Sequence, residues 1–161
     1  MSIDRRRLLE LTSLSGLAVL IGCAPSESEA APGFPFGLSD AQWKARLTPA
    51  QYNVLRQEGT ERPYSSPLND EKRKGVFACA GCGQPLFLSS TKFESGTGWP
   101  SFYAPRNGAV VDRTDRSLMM SRTEVLCSRC GGHLGHVFDD GPPPTGKRYC
   151  MNGVAMTFHP A

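Results

Sequence analysis

From Ser39 onward the apolar and polar positions follow two successive regimes. In "SDAQWKARL" and "TPAQYNVLRQEG" a hydroxyl residue precedes a glutamine by three positions, Ser39 before Gln42 and Thr48 before Gln51. A hydroxyl N-cap accepts from the N3 backbone while an N3 glutamine reaches back, so this spacing predicts two capping boxes and two short helices. Pro49 at the first helical position and Gly59 past the last give the second helix a start and a stop.

Beyond Gly59 the apolar runs are short: "GVFAC", "PLFLS", "AVVDR", "SLMMSRTEVLC", "HVFDD" and "VAMTF", separated by Gly, Pro, Asn and Asp. Their lengths and turn punctuation predict strands of an antiparallel, mainly β domain. No helical period runs far enough to compete, and the sole internal repeat is a doubled CxxC. The pattern predicts one domain over residues 39–161.

The N-terminus reads differently. "MSIDRRRLLELTSLSGLAVLIGCAPSESEA" has a basic start, an apolar run over residues 11–21, and then Cys23. That run is too short to span a bilayer as a mature helix and fits the apolar region of a secretory signal. The arginines before Leu8 resemble a twin-arginine signal, with Asp4 and Glu10 departing from it, and "LIGC" resembles a bacterial lipobox. The expectation is a signal over residues 1–22, acylation at Cys23, and a Pro/Ser/Ala-rich flexible tether over 23–38. This implies an exported, lipid-anchored protein at a periplasmic or other extracytoplasmic face. An uncleaved N-terminal anchor helix is the alternative.

Composition narrows the partners. A net charge of +3 over 161 residues is small, and three of the cations are Arg5, Arg6 and Arg7 in the expected signal. No basic face remains that would suit nucleic acid.

Six cysteines carry most of the chemistry. Cys79–Cys82 and Cys127–Cys130 form two CxxC knuckles with glycines beside them. Each knuckle aims two thiolates at one point, and two complete a closed tetrahedral site suited to one structural zinc ion. The gap between knuckles exceeds the roughly 15–20 residues of a zinc ribbon. Export would favour disulfides instead. A Cys2His2 set of Cys127, Cys130, His133 and His136 is a further rival, crowded for lack of a long element between its pairs.

Cys150, in "TGKRYCMNGVAM", is then left as a free thiol. A lone cysteine often packs as a small hydrophobe. Here Arg148 and Asn152 would share its side if the segment is a strand, and the cation would favour a thiolate. His133 and His136 lie among glycines in "GGHLGHVFDDGP", either as structural histidines or as polar groups for chemistry.

The run "GTERPYS … FACAGCGQPLF … KFESGTGWPSF … SRTEVLCSRCGGHLGHVFDDGPPPTGKRYCMNGVAMTF" resembles the B-type methionine sulfoxide reductases, from Ser39 to Phe158 and in order. The resemblance implies reduction of methionine-R-sulfoxide in proteins, a repair activity, with Cys150 as the nucleophile and a sulfenic acid as intermediate. It implies His136 as the acid and positioning group, assisted by His133 or Glu124. Asn152 and Arg148 would orient the oxygen or favour the thiolate, and Trp99 and Phe138 would enclose the methionine side chain. Many family members carry a resolving cysteine where this chain has Thr97. A thioredoxin-like or glutaredoxin-like reductant is therefore implied, unless an unacylated Cys23 resolves Cys150. Two other classes compete: a zinc-ribbon-like binding module with a structural Cys150, and a zinc hydrolase or deaminase. The first lacks a recognition face, and the second lacks an H-x-E motif.

Overall fold

The computed structural model describes residues 33–115 and 121–161. The expected signal, Cys23, the tether as far as residue 32, and residues 117–120 of the expected strand "SLMMSRTEVLC" lie outside the described residues.

Both helices form where their caps are written. Helix α1 spans Asp40–Arg46 and α2 spans Pro49–Gln57, each closed by a reciprocal capping box. Ser39 and Gln42 exchange bonds of 2.9 and 3.3 Å, and Thr48 and Gln51 bonds of 3.0 and 3.2 Å. At the end of α2 it is Glu58, at φ 57°, that takes the left-handed conformation. Gly59 serves another purpose, since a Cβ there would stand 2.2 Å from the Asn53 amide.

Among the described residues nine strands follow: β1 (Gly75–Cys79), β2 (Pro85–Leu88), β3 (Lys92–Phe93), β4 (Ser101–Phe102), β5 (Val110–Asp115), β6 (Arg122–Cys127), β7 (His133–Phe138), β8 (Arg148–Met151) and β9 (Met156–Pro160). They make two antiparallel sheets, β2-β1-β9 and β3-β4-β8-β7-β6-β5. The mainly β expectation holds, with shifted bounds. "HVFDD" enters β7 three residues early and leaves it at Phe138, while Val154 and Ala155 form a 3-10 turn ahead of β9.

Aromatic residues join the two sheets. Phe102 of the larger sheet stacks on Phe87 at 4.3 Å between centroids and meets Phe77 edge-on at 5.0 Å. All three are fully buried, which is worth about 1.5–3 kcal/mol each. The helices cover one end with Trp43, Leu47, Val54 and Leu55.

Residues just before Ser39 also make packing contacts. The Phe34 ring lies over Gly131, where a Cβ would approach it to 2.6 Å. Phe36 meets Trp43 edge-on and donates its backbone N–H to the Arg129 carbonyl at 2.9 Å. Two aromatic rings in a polar, Pro-rich stretch bury enough apolar area to hold those residues down.

Candidate active site and metal centre

The knuckles meet where β1 and β6 end. The sulfurs of Cys79, Cys82, Cys127 and Cys130 all lie within 4.8 Å of one another, every one of them buried. Cys79 Sγ is 3.8 Å from Cys130 Sγ, and Cys82 Sγ is 3.6 Å from Cys127 Sγ. A disulfide needs about 2.05 Å, so the four are separate thiols. A tetrahedral ion with metal–sulfur bonds of about 2.3 Å would hold its sulfurs about 3.8 Å apart, which this cluster matches.

Electrostatics set the four thiols against one another. Hydrogen bonding from Cys127, with burial, pushes the Cys79 and Cys130 thiols up, while thiol donors pull Cys82 and Cys127 down. Four buried thiolates need a cation to coexist. Three arginines secure the knuckle backbone, Arg46 on the Gly81 carbonyl at 2.7 Å, Arg56 on Cys130 at 3.1 Å and Arg129 on Cys82 at 3.1 Å. The two histidines are engaged elsewhere, which removes the Cys2His2 arrangement: His133 Nδ1 is 2.6 Å from Glu124 Oε1, and His136 Nε2 is 3.0 Å from Asp115 Oδ2.

Strand register assembles the second site. Across the larger sheet Arg113 pairs Glu124, Glu124 pairs His136, His136 pairs Cys150, and Cys150 pairs Ser101. Residues opposite one another in an antiparallel ladder project from the same face. A parallel row beside it holds Asp115 with Arg122, and Phe138 with Arg148. Cys150, His136, Arg148 and Phe138 therefore share one face without being neighbours in sequence.

Two local devices tune this face. In regular alternation His133 and His136, three apart, would face opposite ways. The ladder slips between Val125 and Leu126, so that Leu126 opposes His133, and this bulge brings the His133 ring to within 5.4 Å of His136. Gly135 lets β8 approach, since a Cβ there would lie 2.2 Å from the Cys150 carbonyl oxygen.

Cys150 opens into a cleft of about 150 Å³ lined by Thr60, Trp99, Arg122, Gly135, His136, Phe138 and Asn152. Its size suits one unbranched side chain, well below the roughly 300 Å³ at which drug-sized pockets begin. Larger grooves exist between α2 and the Ser65–Leu68 segment and beside Tyr149, but neither is lined by a thiol.

Of the residues singled out in the sequence, Cys150, His136, Trp99, Phe138 and Asn152 converge on the cleft. Arg148 stands beside it, bidentate on Asp140 at 2.8 Å and stacked on the Phe138 ring at 4.5 Å. Its guanidinium is held above its ordinary value first by Asp140, with Cys150 acting in the same direction. His133 and Glu124 do not line the cleft; they form a buried pair behind it, with Arg113 Nε on the other Glu124 oxygen at 2.7 Å. Burial pushes His133 below its ordinary value despite that carboxylate. A neutral His133 gives its Nδ1–H to Glu124 and acts on the cleft only through His136.

Several participants carried no sequence signal of their own. Asp115 Oδ2 accepts from Arg122 Nη2 at 2.7 Å as well as from His136, which commits the His136 Nε2 proton. Glu61 is a hub. Its carbonyl takes the Trp99 indole N–H at 3.1 Å, and its own N–H meets Asn152 Oδ1 at 3.0 Å. Its carboxylate accepts from the Gly153 and Val154 N–H groups at 2.5 and 2.9 Å. The stretch "GTERPYS" contains Glu61, yet nothing in its local pattern says that its partners lie some ninety residues away.

Comparison with known proteins agrees with this arrangement. The SelR domain family matches residues 47–160. A protein of Agrobacterium fabrum named peptide methionine sulfoxide reductase MsrB is 56% identical over 123 residues, covering 76% of this chain and 91% of that relative. Proteins of the same name from Thiobacillus denitrificans and Methanosarcina barkeri are 58% and 62% identical, covering 76% and 74% of this chain and 93% and 85% of their own lengths. With a cysteine, a histidine and an aromatic wall meeting in one small cleft, and four further cysteines clustered in the same domain, the chain belongs to the SelR-domain family of B-type methionine sulfoxide reductases.

Proposed function

We propose that this protein reduces methionine-R-sulfoxide in proteins or peptides to methionine, through a sulfenic acid on Cys150. The observation that carries the reading is the pairing of Cys150 with His136 across β8 and β7, at the floor of a cleft walled by Trp99 and Phe138. The apolar rings take the thioether end of the substrate, and the polar floor takes the oxygen.

The Cys150 sulfur attacks the sulfoxide sulfur as the oxygen is protonated; the S–O bond breaks, and the released oxygen attacks the Cys150 sulfur, which breaks the new sulfur–sulfur bond and expels methionine. With its Nε2–H committed to Asp115, His136 keeps Nδ1 as an acceptor that can take the Cys150 proton and pass it to the oxygen, which supports its role as the acid. The net step turns thiol and sulfoxide into sulfenic acid and thioether, so Cys150 is oxidised by two electrons as the substrate is reduced. An external thiol then attacks the Cys150 sulfur, water leaves, and a second thiol resolves the mixed disulfide. Among the described residues the other four cysteines belong to the cluster, which supports an outside dithiol of the thioredoxin or glutaredoxin kind. Arg148 keeps a cation beside Cys150, and Asn152 positions Glu61 and, through it, Trp99. The donor set of the cluster, four thiolates with no open position, supports one structural zinc ion.

The test is turnover of the separated R and S epimers of a peptide methionine sulfoxide with dithiothreitol as reductant. Consumption of the R epimer alone is expected. Folded protein that reduces neither epimer would end this reading, and would favour the binding-module alternative.

The N-terminal pattern supports export and acylation at Cys23, which would tether the enzyme outside the cytoplasm. In a bacterial host the full chain should then fractionate with membranes, and Cys23→Ala should release it. Equal fractionation of the two forms would refute the anchor.

A further inference from the structure

Three hydroxyls converge behind Cys150. Thr97 Oγ1 lies 3.8 Å from Cys150 Sγ. Ser95 Oγ lies 2.8 Å from Thr97 Oγ1 and 2.7 Å from Ser101 Oγ. Ser101 is wholly buried on β4, opposite Cys150 in the ladder, and its hydroxyl also reaches the Trp99 carbonyl oxygen at 3.1 Å. The Thr97 N–H points at Ser95 Oγ as well, at 3.4 Å, and closes the turn around the chain.

A hydroxyl has one proton to give. Two orientations therefore link the run from Ser101 to Cys150 head to tail, with every hydroxyl donating in the same sense. In one, Ser101 donates to Ser95, Ser95 to Thr97, and Thr97 to the sulfur. In the other all three turn round: Thr97 donates to Ser95, Ser95 to Ser101, and Ser101 to the Trp99 carbonyl. Thr97 is then free to accept from Cys150. The backbone carbonyl only accepts, so it supplies the second orientation with an end point.

The reaction presents Cys150 in two forms with opposite demands. A thiolate only accepts a hydrogen bond, whereas the sulfenic acid left by oxygen transfer carries an O–H that needs an acceptor. We infer that Thr97 is a further catalytic residue, the tip of a reversible hydroxyl chain through Ser95 and Ser101 that donates to the Cys150 thiolate and then accepts from its sulfenic acid. Ser95 and Ser101 are positioning residues in this chain. The inference rests on the sulfoxide-reducing role of Cys150, and it explains how a site without a second thiol holds the sulfenic acid until an outside reductant arrives.

The experiment gives the full chain one equivalent of a methionine-R-sulfoxide peptide without reductant. It follows methionine release, then traps the sulfenic acid with dimedone after increasing delays. Thr97→Val keeps the shape of a half-buried side chain and removes only the hydroxyl. Losing one hydrogen bond to a charged group should slow methionine release about tenfold. The trappable sulfenic acid should also decay faster in this variant. Ser95→Ala leaves Thr97 its own proton for the thiolate but removes the acceptor for that proton in the second orientation. It should shorten the sulfenic acid lifetime more than it slows methionine release. Thr97→Ser should restore both quantities. Thr97→Val matching the unaltered protein in both, or Thr97→Ser failing as badly as Thr97→Val, overturns the chain. If the unaltered protein releases no methionine, the sulfoxide-reducing reading fails first and this inference falls with it.

Discussion

Substituting Cys150→Ser should abolish sulfoxide reduction, by on the order of 10⁴-fold or more, as for removal of any enzyme nucleophile. A serine hydroxyl is a far weaker nucleophile toward sulfur than a thiolate, and it has no sulfenic acid to form. The substitution is nearly isosteric at a half-buried position on β8, so the ladder to β7 and β4 is retained. Cys150 is also no part of the four-cysteine cluster. Metal content and the thermal unfolding midpoint should therefore match the unaltered protein while turnover vanishes. That combination separates an enzyme from a binding module, in which Cys150 is only packing and its loss changes nothing. Residual turnover within tenfold of the unaltered protein, measured with the R epimer, would remove Cys150 from the chemistry.

Breaking the metal cluster should have the second largest effect, this time on the fold. Cys127→Ser would leave three sulfurs for the ion that the four-cysteine cluster could hold. Apparent binding free energies for structural zinc run to about 10–16 kcal/mol. The whole stability of a small domain is about 5–15 kcal/mol. Loss of the ion therefore exceeds or matches everything else that holds the domain together. The consequence reaches the cleft because β1 and β6 both end in cluster cysteines, and β6 carries Arg122 and Glu124. β7, with both histidines, begins three residues after Cys130. The variant, or the unaltered protein stripped by a strong chelator, should lose bound metal, cooperative unfolding and activity together. Metal analysis beside circular dichroism decides it. A metal-free protein that unfolds at its old midpoint would show that the cluster is dispensable.

How much of this was legible beforehand depended on the range of each interaction. The capping boxes of α1 and α2 close between residues three apart, so the sequence spells them out and they form as written. The end of α2 shows the limit of local reading. Gly59 marks the right place for a reason of packing against Asn53, while Glu58 makes the turn. Strands with a clear apolar run, such as "GVFAC" and "PLFLS", were readable. β4 and β8 were harder, because "SF" is too short to show a period and "RYCM" mixes charge with apolar residues. β8 carries Cys150, the proposed nucleophile, and β4 lies beside it, so the least legible part of the sheet is the part proposed to do the chemistry.

The sequence by itself determined the local and covalent terms: two capped helices, two metal knuckles, a mainly β texture, and a leftover thiol at Cys150. Each follows from residue type and short spacing, which act before the chain is folded. Only the tertiary structure decided which groups share the cleft. Register across four strands sets His136 opposite Cys150, and a bulge turns His133 to the same side. Contacts across some ninety residues tie Glu61 to Asn152 and Gly153. In a sheet a slip of one residue moves every side chain to the other face, and no local pattern records which register the packed core selects.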